Sequence, residues 1–266
     1  MSVIKKVGIL LKDHYALAET FSEKLIPWLE KKGCEVVTKD FSKVQLVLTL
    51  GGDGTFIRGV HLLKGAPIPI LGIRLGHLGF LTQVSPDEFE PILSQILSQG
   101  PQVEKRIKVK AKVHRKDQGE FNFHALNDVV FHTNGIARIA SFKITLNGIY
   151  FSTVQADGVL IATPTGSTAY SFAAGGPIIE PSHPLFVITP ICPKNRTNGS
   201  LVVSDQSKIE LMLEDERTSV ALTIDGQEFF ELRADDKIEI QKSEEMAYFV
   251  KAPQTHFFET VRKKLF

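Results

Sequence analysis

The chain has 266 residues, 43% of them hydrophobic and 23% charged, proportions that exclude a disordered or fibrous protein and leave room for two ordinary domains. A formal net charge of +1 supplies no global field for nucleic acid or an anionic membrane, so any anionic ligand must be held locally. No apolar run approaches the roughly 20 residues that cross a bilayer, and Met1 to Lys6 lack a signal-peptide core, which predicts a cytoplasmic protein.

Val7-Gly8-Ile9-Leu10-Leu11 reads as a buried strand. Leu17, Phe21, Leu25, Trp28 and Leu29 then recur at helical spacing, with Pro27 predicting a kink and Gly33 standing where a C-terminal cap belongs. Leu46 to Leu50 form a second buried strand, followed at once by Gly51-Gly52-Asp53-Gly54-Thr55 and a short helix from about Thr55 to Leu63. A strand around Pro69 to Ile73 leads into Gly76-His77-Leu78-Gly79-Phe80-Leu81, whose glycines suit a loop that lets a ligand approach the backbone. Ser85 and Glu88 have capping-box spacing, with Pro86 at the first helical position. Phe89, Ile92, Leu93, Ile96 and Leu97 make the apolar stripe of that helix, and Gly100-Pro101 ends it. Strands alternating with crossover helices predict an α/β domain over residues 1–101.

From about residue 102 the pattern changes to strands and tight-turn dipeptides, which predicts a separate β-rich domain over 102–252. Asn147-Gly148 and Asp225-Gly226, each between β-patterned runs, read as type I′ hairpin turns. Strands also fit 208–213 and 237–241. Lys105, Arg106, Lys108, Lys110 and Lys112 alternate along one strand, the pattern of a solvated face by default, with a surface for donor polyphosphate as the other reading. After Pro253, Phe257, Phe258, Val261 and Leu265 return to near-helical spacing, so a C-terminal helix over about 253–266 is expected to pack back on the first domain.

Cys34 and Cys192 are the only cysteines and show no CxxC spacing, while His114, His124 and His132 lie too far apart along strands to assemble ligands. No metal site built by the protein is expected. Gly51, Gly52 and Gly54 instead leave backbone N–H groups open between a buried strand and a helix start, where helix dipole and free amides favour phosphate. There is no GxxxxGK[ST], so this is not the common P-loop. A carboxylate inside such a cradle, Asp53, is electrostatically costly unless it orients a hydroxyl or holds a cation. The same residues also fit a sharp turn with Asp53 capping the helix.

Asp157-Gly158 and Thr163-Pro164-Thr165-Gly166-Ser167-Thr168-Ala169-Tyr170 gather hydroxyls, a carboxylate and a phenol, which reads as an ST-turn before a helix or as a ligand surface. Asn127-Asp128 ahead of Val129-Val130-Phe131 fits a turn entering a strand. Arg58, just over one helical turn beyond Asp53, could serve the same phosphate or solvent. Phe80 could stack on a ligand ring or fill core.

Taken in order, Gly51-Gly52-Asp53-Gly54-Thr55, the Gly76 to Leu81 loop, Asn127-Asp128, Asp157-Gly158, Thr163 to Tyr170, Gly175-Gly176-Pro177 and Asp225-Gly226-Gln227 resemble the NAD kinases over residues 46 to about 230. The GGDG loop alone is shared with diacylglycerol kinases and phosphofructokinases, and its pairing with TPTGSTAY and DGQ narrows the choice. The resemblance implies an α/β N-terminal domain, an all-β sandwich C-terminal domain, a C-terminal helix returning to the first domain, and a site between the domains. It further implies a cytosolic homodimer or homotetramer that makes NADP from NAD, with ATP or polyphosphate as donor and a divalent metal such as Mg.

Carried onto this sequence, the resemblance implies Asp53 as proton acceptor for the adenosine ribose 2′-hydroxyl, with Gly54 beside it. Asn127 and Asp128 would contact ribose, and Thr168, Ala169 and Tyr170 would surround adenine. Asp157 would lie toward the nicotinamide end, reaching from a neighbouring subunit, Arg138 would serve phosphate, and Gln227 would complete the pocket. Asp128 stands where the family usually has Glu, which retracts the carboxylate by one methylene. Ala173 stands where a serine is common, which removes one hydrogen bond toward the nicotinamide side. His77 occupies a position where the family often has a basic or small polar residue. A lipid or sugar kinase sharing the loop and a non-catalytic NAD(H)-sensing module are the competing readings, and retention of Asp53 counts against the second.

Overall fold

The structure, a computed structural model, describes residues 3–134, 139–195, 199–214, 218–251 and 256–266. The chain divides into two units, Met1–Lys105 with Met246–Phe266, and Arg106–Glu245. In chain order the first hundred residues supply β1 (Lys6–Leu11), α1 (Ala16–Lys31), β2 (Glu35–Val37), β3 (Leu46–Gly51), α2 (Asp53–Leu63), β4 (Ile70–Arg74), β5 (Thr82–Val84) and α3 (Phe89–Gln99). There follow β6 (Val103–Arg115), β7 (Gly119–Ala125), β8 (Asp128–Thr133), β9 (Ala140–Leu146), β10 (Ile149–Ala156) and β11 (Gly158–Ala162). After the short α4 (Tyr170–Ala173) come β12 (Leu185–Ile191), β13 (Leu201–Ser204), β14 (Ile209–Leu213), β15 (Val220–Ile224), β16 (Glu228–Leu232), β17 (Lys237–Val250) and α5 (Phe257–Leu265). Among the described residues no helix is long and apolar enough to cross a membrane.

In the first unit β5, β4, β3, β1 and β2 lie side by side and all run parallel. β3 is buried along its whole length, as a strand covered on both faces must be, and its unbroken apolar run supplies that burial. Leu46, Leu48 and Leu50 share a core with Leu25 and Leu29 of α1 and Phe89 and Leu93 of α3. The rings of Phe21 and Trp28 meet Phe89 edge to face at 5.3 and 5.4 Å. α2 covers the opposite face, where Gly59 permits close approach: a Cβ there would stand 2.7 Å from Ile70 Cδ1 and 3.0 Å from Thr49 Cγ2. The end of β17 also joins this unit, with Phe249 paired to Ile70 and its ring 4.7 Å from Phe56.

Local expectations fare unequally here. α1 continues through Pro27 to Lys31, and Gly33, at φ +83°, donates its N–H to Glu30 O as the expected cap. α2 begins at Asp53, not near Thr55, because Gly52 already stands as the extended residue that precedes the helix. Ser85 and Glu88 do pair at the start of α3: the Ser85 hydroxyl donates to Glu88 Oε2 at 2.6 Å, and hydrogen bonds from both the side chain and the backbone of Ser85 hold the Glu88 carboxyl below its usual range, while the helix itself begins at Phe89.

The second unit contains two antiparallel arrays. One has the order β13-β12-β11-β8-β15-β16; the other runs β10-β9-β14-β17, with β6 on β17 and β7 on β6. Period-two alternation sends Phe131, Ile161 and Leu222 of the first array and Val109, Phe142 and Leu211 of the second into one core, so the unit is a β-sandwich. Val130, Leu160 and Val187 point the other way and are covered by Ala174, Ile179 and Leu185. Asn147 and Gly148 have φ of 51° and 80°, and Asp225 and Gly226 have 50° and 62°, the left-handed pairs that type I′ turns require. β17 extends well beyond the expected 237–241.

Lys105 of β6 is exposed, but the lysines further along the strand do not form a solvated face. Lys108 is 2% exposed and pairs with Glu245 at 2.6 Å, Lys110 meets Glu244 at 3.0 Å, and Lys112 meets Glu120 at 3.3 Å. β6 lies between β17 and β7, so its cations face the carboxylates of those neighbours. Arg115, at the end of β6, makes a two-bond contact with Asp236 at 2.9 and 2.8 Å, and both residues are buried.

Candidate functional site

In the first unit the chemistry centres on the turn between β3 and α2. Asp53 stands in the first turn of α2, yet its carboxylate does not cap that helix. Oδ2 accepts the N–H of Phe80 at 2.8 Å, and Oδ1 accepts the N–H groups of Leu81 and Thr82 at 3.0 and 3.1 Å and the Thr82 hydroxyl at 3.1 Å. A charged acceptor bound by several donors is fixed in direction. Gly79 makes this possible, because a Cβ at that position would collide with Asp53 Oδ1. Gly79 of the 76–81 loop thus admits a side chain of the protein itself.

Around this carboxylate, Gly52 and Gly54 have open space where a Cβ would stand, whereas a Cβ on Gly51 would strike the Thr55 side chain. Arg58 does not turn toward the glycines. Its guanidinium bonds Asp13 and the Leu11 carbonyl, which the sequence could not reveal because both partners lie more than forty residues away. The ring of half-buried Phe80 carries Lys264 Nζ at 4.7 Å from its centroid, and His77 is exposed.

The second unit holds a cavity of about 670 Å³ lined by Asn127, Asp128, Asp157, Ala169, Tyr170 and Cys192, with Thr223, Asp225 and Gly226 along its other side. Its organiser is Asp225, in the β15–β16 hairpin. Asp225 Oδ1 accepts the N–H groups of Asn127 and Asp128 at 2.7 and 3.1 Å, Oδ2 accepts that of Leu126 at 2.8 Å, and Asp225 N–H donates to Asp128 O at 3.0 Å. From the opposite side Thr163 donates its hydroxyl to Leu126 O at 2.6 Å and its N–H to Asn127 O at 2.8 Å. A Cβ on Gly166 would collide with Asn127 O, so the turn after β11 presses directly on this segment.

The fixed backbone presents two side chains to the cavity in unusual states. Asn127 Oδ1 is buried without a hydrogen-bond partner, an acceptor that protein interiors seldom leave unsatisfied. Asp128 is 4% exposed, and burial, with a smaller contribution from the charge of Asp225, pushes its carboxyl up to about 7. Near neutrality Asp128 therefore divides between a protonated donor and an ionised acceptor. Half-exposed Tyr170 has its phenol raised by burial and by the neighbouring Cys192, Asp128 and Asp157.

The other expected residues spread more widely. Thr163 and Ser167 of the polar segment are buried and structural, Ser167 donating to Pro164 O at 2.7 Å and accepting Ile179 N–H at 3.0 Å. Ala169 and Tyr170 reach the cavity; Thr168 turns toward Thr165 O at 3.5 Å, Ala173 is exposed in α4, and Gln227 is exposed beyond the turn, where Gly226 lines the cavity instead. Arg138 lies outside the described residues. His132, Thr133, Thr223 and Cys192 line the cavity without having been read as ligand-binding residues. Asp225 was legible as a hairpin residue and as part of the Asp225-Gly226-Gln227 motif, and not as the clamp on residues 126–128. Among the described residues no three or more His, Cys, Asp or Glu side chains stand together as a metal site.

Residues 35–100 match the model of the ATP-NAD kinase N-terminal domain, and residues 126–252 that of the ATP-NAD kinase C-terminal domain. The chain is 37% identical over 279 residues to an NAD kinase of Geotalea daltonii, covering 98% of each protein. It is 41% identical over 228 residues to an NAD kinase of Thermoanaerobacter pseudethanolicus, covering 86% of this chain and 81% of that one. Among solved structures, yeast NADH kinase complexed with NADH superposes with a TM-score of 0.90 at 24% identity, covering 98% of this chain and 87% of that one. An NAD kinase from Archaeoglobus fulgidus in complex with ATP gives 0.82 at 28% identity, covering 97% and 98%. Matches over most of both units, with the glycine turn and the cavity each in place, establish that the chain belongs to the NAD kinase family of phosphotransferases.

Proposed function

We propose that this protein transfers the terminal phosphoryl group of ATP to the 2′-hydroxyl of the adenosine ribose of NAD, giving NADP, with Asp53 as proton acceptor. The observation that carries the reading is the fixed Asp53 carboxylate. A sugar hydroxyl is a poor nucleophile near neutral pH, and a carboxylate held in one direction takes its proton as attack proceeds. Among the described residues Oδ1 accepts three hydrogen bonds and Oδ2 one, which leaves Oδ2 as the oxygen with capacity for the incoming hydroxyl.

Phosphoryl transfer otherwise needs alignment and neutralisation of charge, not covalent help. In this reading Asn127 and Asp128 hold ribose hydroxyls, the unpartnered Asn127 Oδ1 accepting one of them. Tyr170 and Ala169, with Thr168, border adenine, Asp157 lies toward nicotinamide, and Gly51, Gly52 and Gly54 cradle donor phosphate. Arg138 serves phosphate, while Arg58, Phe80, Ala173 and Gln227 form the outer part of the site. A divalent cation such as Mg would be held mainly by donor phosphate oxygens. The same reading makes the protein a cytoplasmic homodimer or homotetramer, checked by light scattering and cell fractionation.

Purified protein supplied with NAD, ATP and magnesium is expected to form NADP, measured with an NADP-specific dehydrogenase. Absence of product, even with polyphosphate as donor, overturns the assignment. Replacing Asp53 with Asn is expected to lower kcat by about 10²-fold or more, the lower end of what a general base supplies, while the Kd for NAD moves little. Turnover near that of the parent protein would remove Asp53 from the base role.

A further inference from the structure

Neutralising phosphate charge needs a cation at the glycine turn, and Arg58 of α2 is occupied by Asp13 and the Leu11 carbonyl. The fold supplies another. β2, β1, β3 and β4 lie in that order, so the chain passes to one side of β1 for β2 and to the other side for β3. In an open parallel sheet, ligands are held outside the carboxyl ends of the strands where the order reverses in this way. Gly51 ends β3 at that crevice, and Lys12 is the first residue beyond β1. The Lys12 N–H donates to Leu50 O at 2.9 Å, and a Cβ on Gly51 would stand 3.0 Å from Lys12 Cβ, so the lysine side chain leaves the backbone directly beside the turn.

The ammonium is placed as well. Lys12 Nζ lies 4.5 Å from the centroid of the Tyr15 ring. The Tyr15 hydroxyl donates to Leu75 O at 2.9 Å, and the Leu75 N–H donates to Gly51 O at 3.1 Å, so two successive hydrogen bonds tie this aromatic platform to the same turn. The Asp13 carboxylate, next along the chain, is engaged by Arg58, and no carboxylate among the described residues pairs with Lys12. Lys12 is itself exposed, and Gly52 and Gly54 beside it have open space.

We propose that Lys12 is the cation that binds the donor's outer phosphates at the glycine turn, resting on the reading of that turn as the donor-phosphate cradle. A lysine serves phosphate as a point charge on a flexible stem, and here the ammonium moves from the Tyr15 face to the phosphate oxygens. In the transfer the bond from the ribose 2′-oxygen to the terminal phosphorus forms and the bond from that phosphorus to the bridging oxygen breaks. The nucleoside diphosphate leaves with the electron pair, and the hydroxyl proton passes to Asp53. Lys12 exchanges no proton; it offsets negative charge on the oxygens of the donor.

The test uses the full chain and the nonhydrolysable β,γ-imido analogue of ATP with magnesium. By calorimetry Lys12→Ala is expected to bind the analogue about tenfold more weakly or worse, the loss of one charge-assisted hydrogen bond, while Lys12→Arg keeps most of the affinity and NAD affinity stays within about twofold in both. Inorganic tripolyphosphate is expected to compete with the analogue in the parent protein and about tenfold more weakly in Lys12→Ala, which places the effect on the phosphates. Parental analogue affinity in Lys12→Ala overturns the proposal, as does an arginine variant no better than the alanine one. A parallel loss of NAD affinity also overturns it, by making Lys12 a support of the local fold. Analogue binding is read without turnover, so failure of the transfer reading shows separately, as binding that depends on Lys12 with no NADP formed from ATP and NAD.

Discussion

A carboxylate offers about four lone-pair sites, and the four donors around Asp53 crowd three of their bonds onto Oδ1. Direction is gained at the cost of room. Gly79→Ala is therefore expected to displace Asp53, lowering kcat at least tenfold while NAD affinity stays within about twofold, because about 1 Å of misplacement can cost 10²-fold in rate. Single-turnover kinetics beside calorimetry check this, and an unchanged kcat removes the clamp from the mechanism.

Asp128 gives a second expectation, in pH. Its folded-state value near 7 lies above the ordinary carboxylate value of 3.8, so the folded protein binds the proton more tightly than the unfolded chain. The stability this contributes is fully present below about pH 4 and is lost as pH rises to about 7, a change on the order of 4 kcal/mol. Asp128→Asn, which cannot ionise, is expected to flatten that part of the stability profile in urea titrations from pH 4 to 8. A parallel profile in the variant would place the titration elsewhere.

At the scale of elements, the β15–β16 hairpin shows what local pattern reveals and what it hides. Asp225-Gly226 was legible as a type I′ turn because the dipeptide tolerates left-handed backbone at both positions. That its carboxylate binds three consecutive N–H groups at 126–128 was not, since a contact across 97 to 99 residues leaves no periodic trace. Asp53 and the 80–82 loop repeat the lesson at a separation of 27 to 29. Ser85 and Glu88 are the local counterexample: at a separation of three their spacing alone showed the pairing, and only the exact start of the helix, at Phe89, was misplaced. The lysines of β6 read as solvated because strand alternation shows which residues share a face and not which carboxylates the next strand brings. Asp225→Ala leaves buried N–H groups unsatisfied at about 1–3 kcal/mol each. It is expected to weaken NAD binding more than tenfold and lower the melting temperature together, and binding at parental strength would exclude Asp225 as organiser.

For the whole molecule, the broad architecture was readable because each half keeps one hydrophobic period: unbroken apolar strands beside amphipathic helices, then alternating strands with tight turns. The sandwich has its own continuous core, whereas the parallel sheet takes its last pieces from the other end of the chain. A fragment of residues 106–245 is accordingly expected to unfold cooperatively in urea, and a fragment of residues 1–105, without the partners of Ile70, Phe56 and Phe80, is not. Circular dichroism with urea titration distinguishes them, and a cooperative 1–105 fragment would refute the expectation.

That division has a consequence for biosynthesis. Because Met246–Phe266 complete the unit begun by Met1–Lys105, a ribosome delivers the glycine turn and its carboxylate long before the residues that pack Phe56 and Phe80. The sandwich, contiguous in the chain, is whole first. At about 5–20 residues per second, the N-terminal segment waits for seconds with an incompletely covered apolar sheet, the interval in which a nascent chain depends most on protection from aggregation.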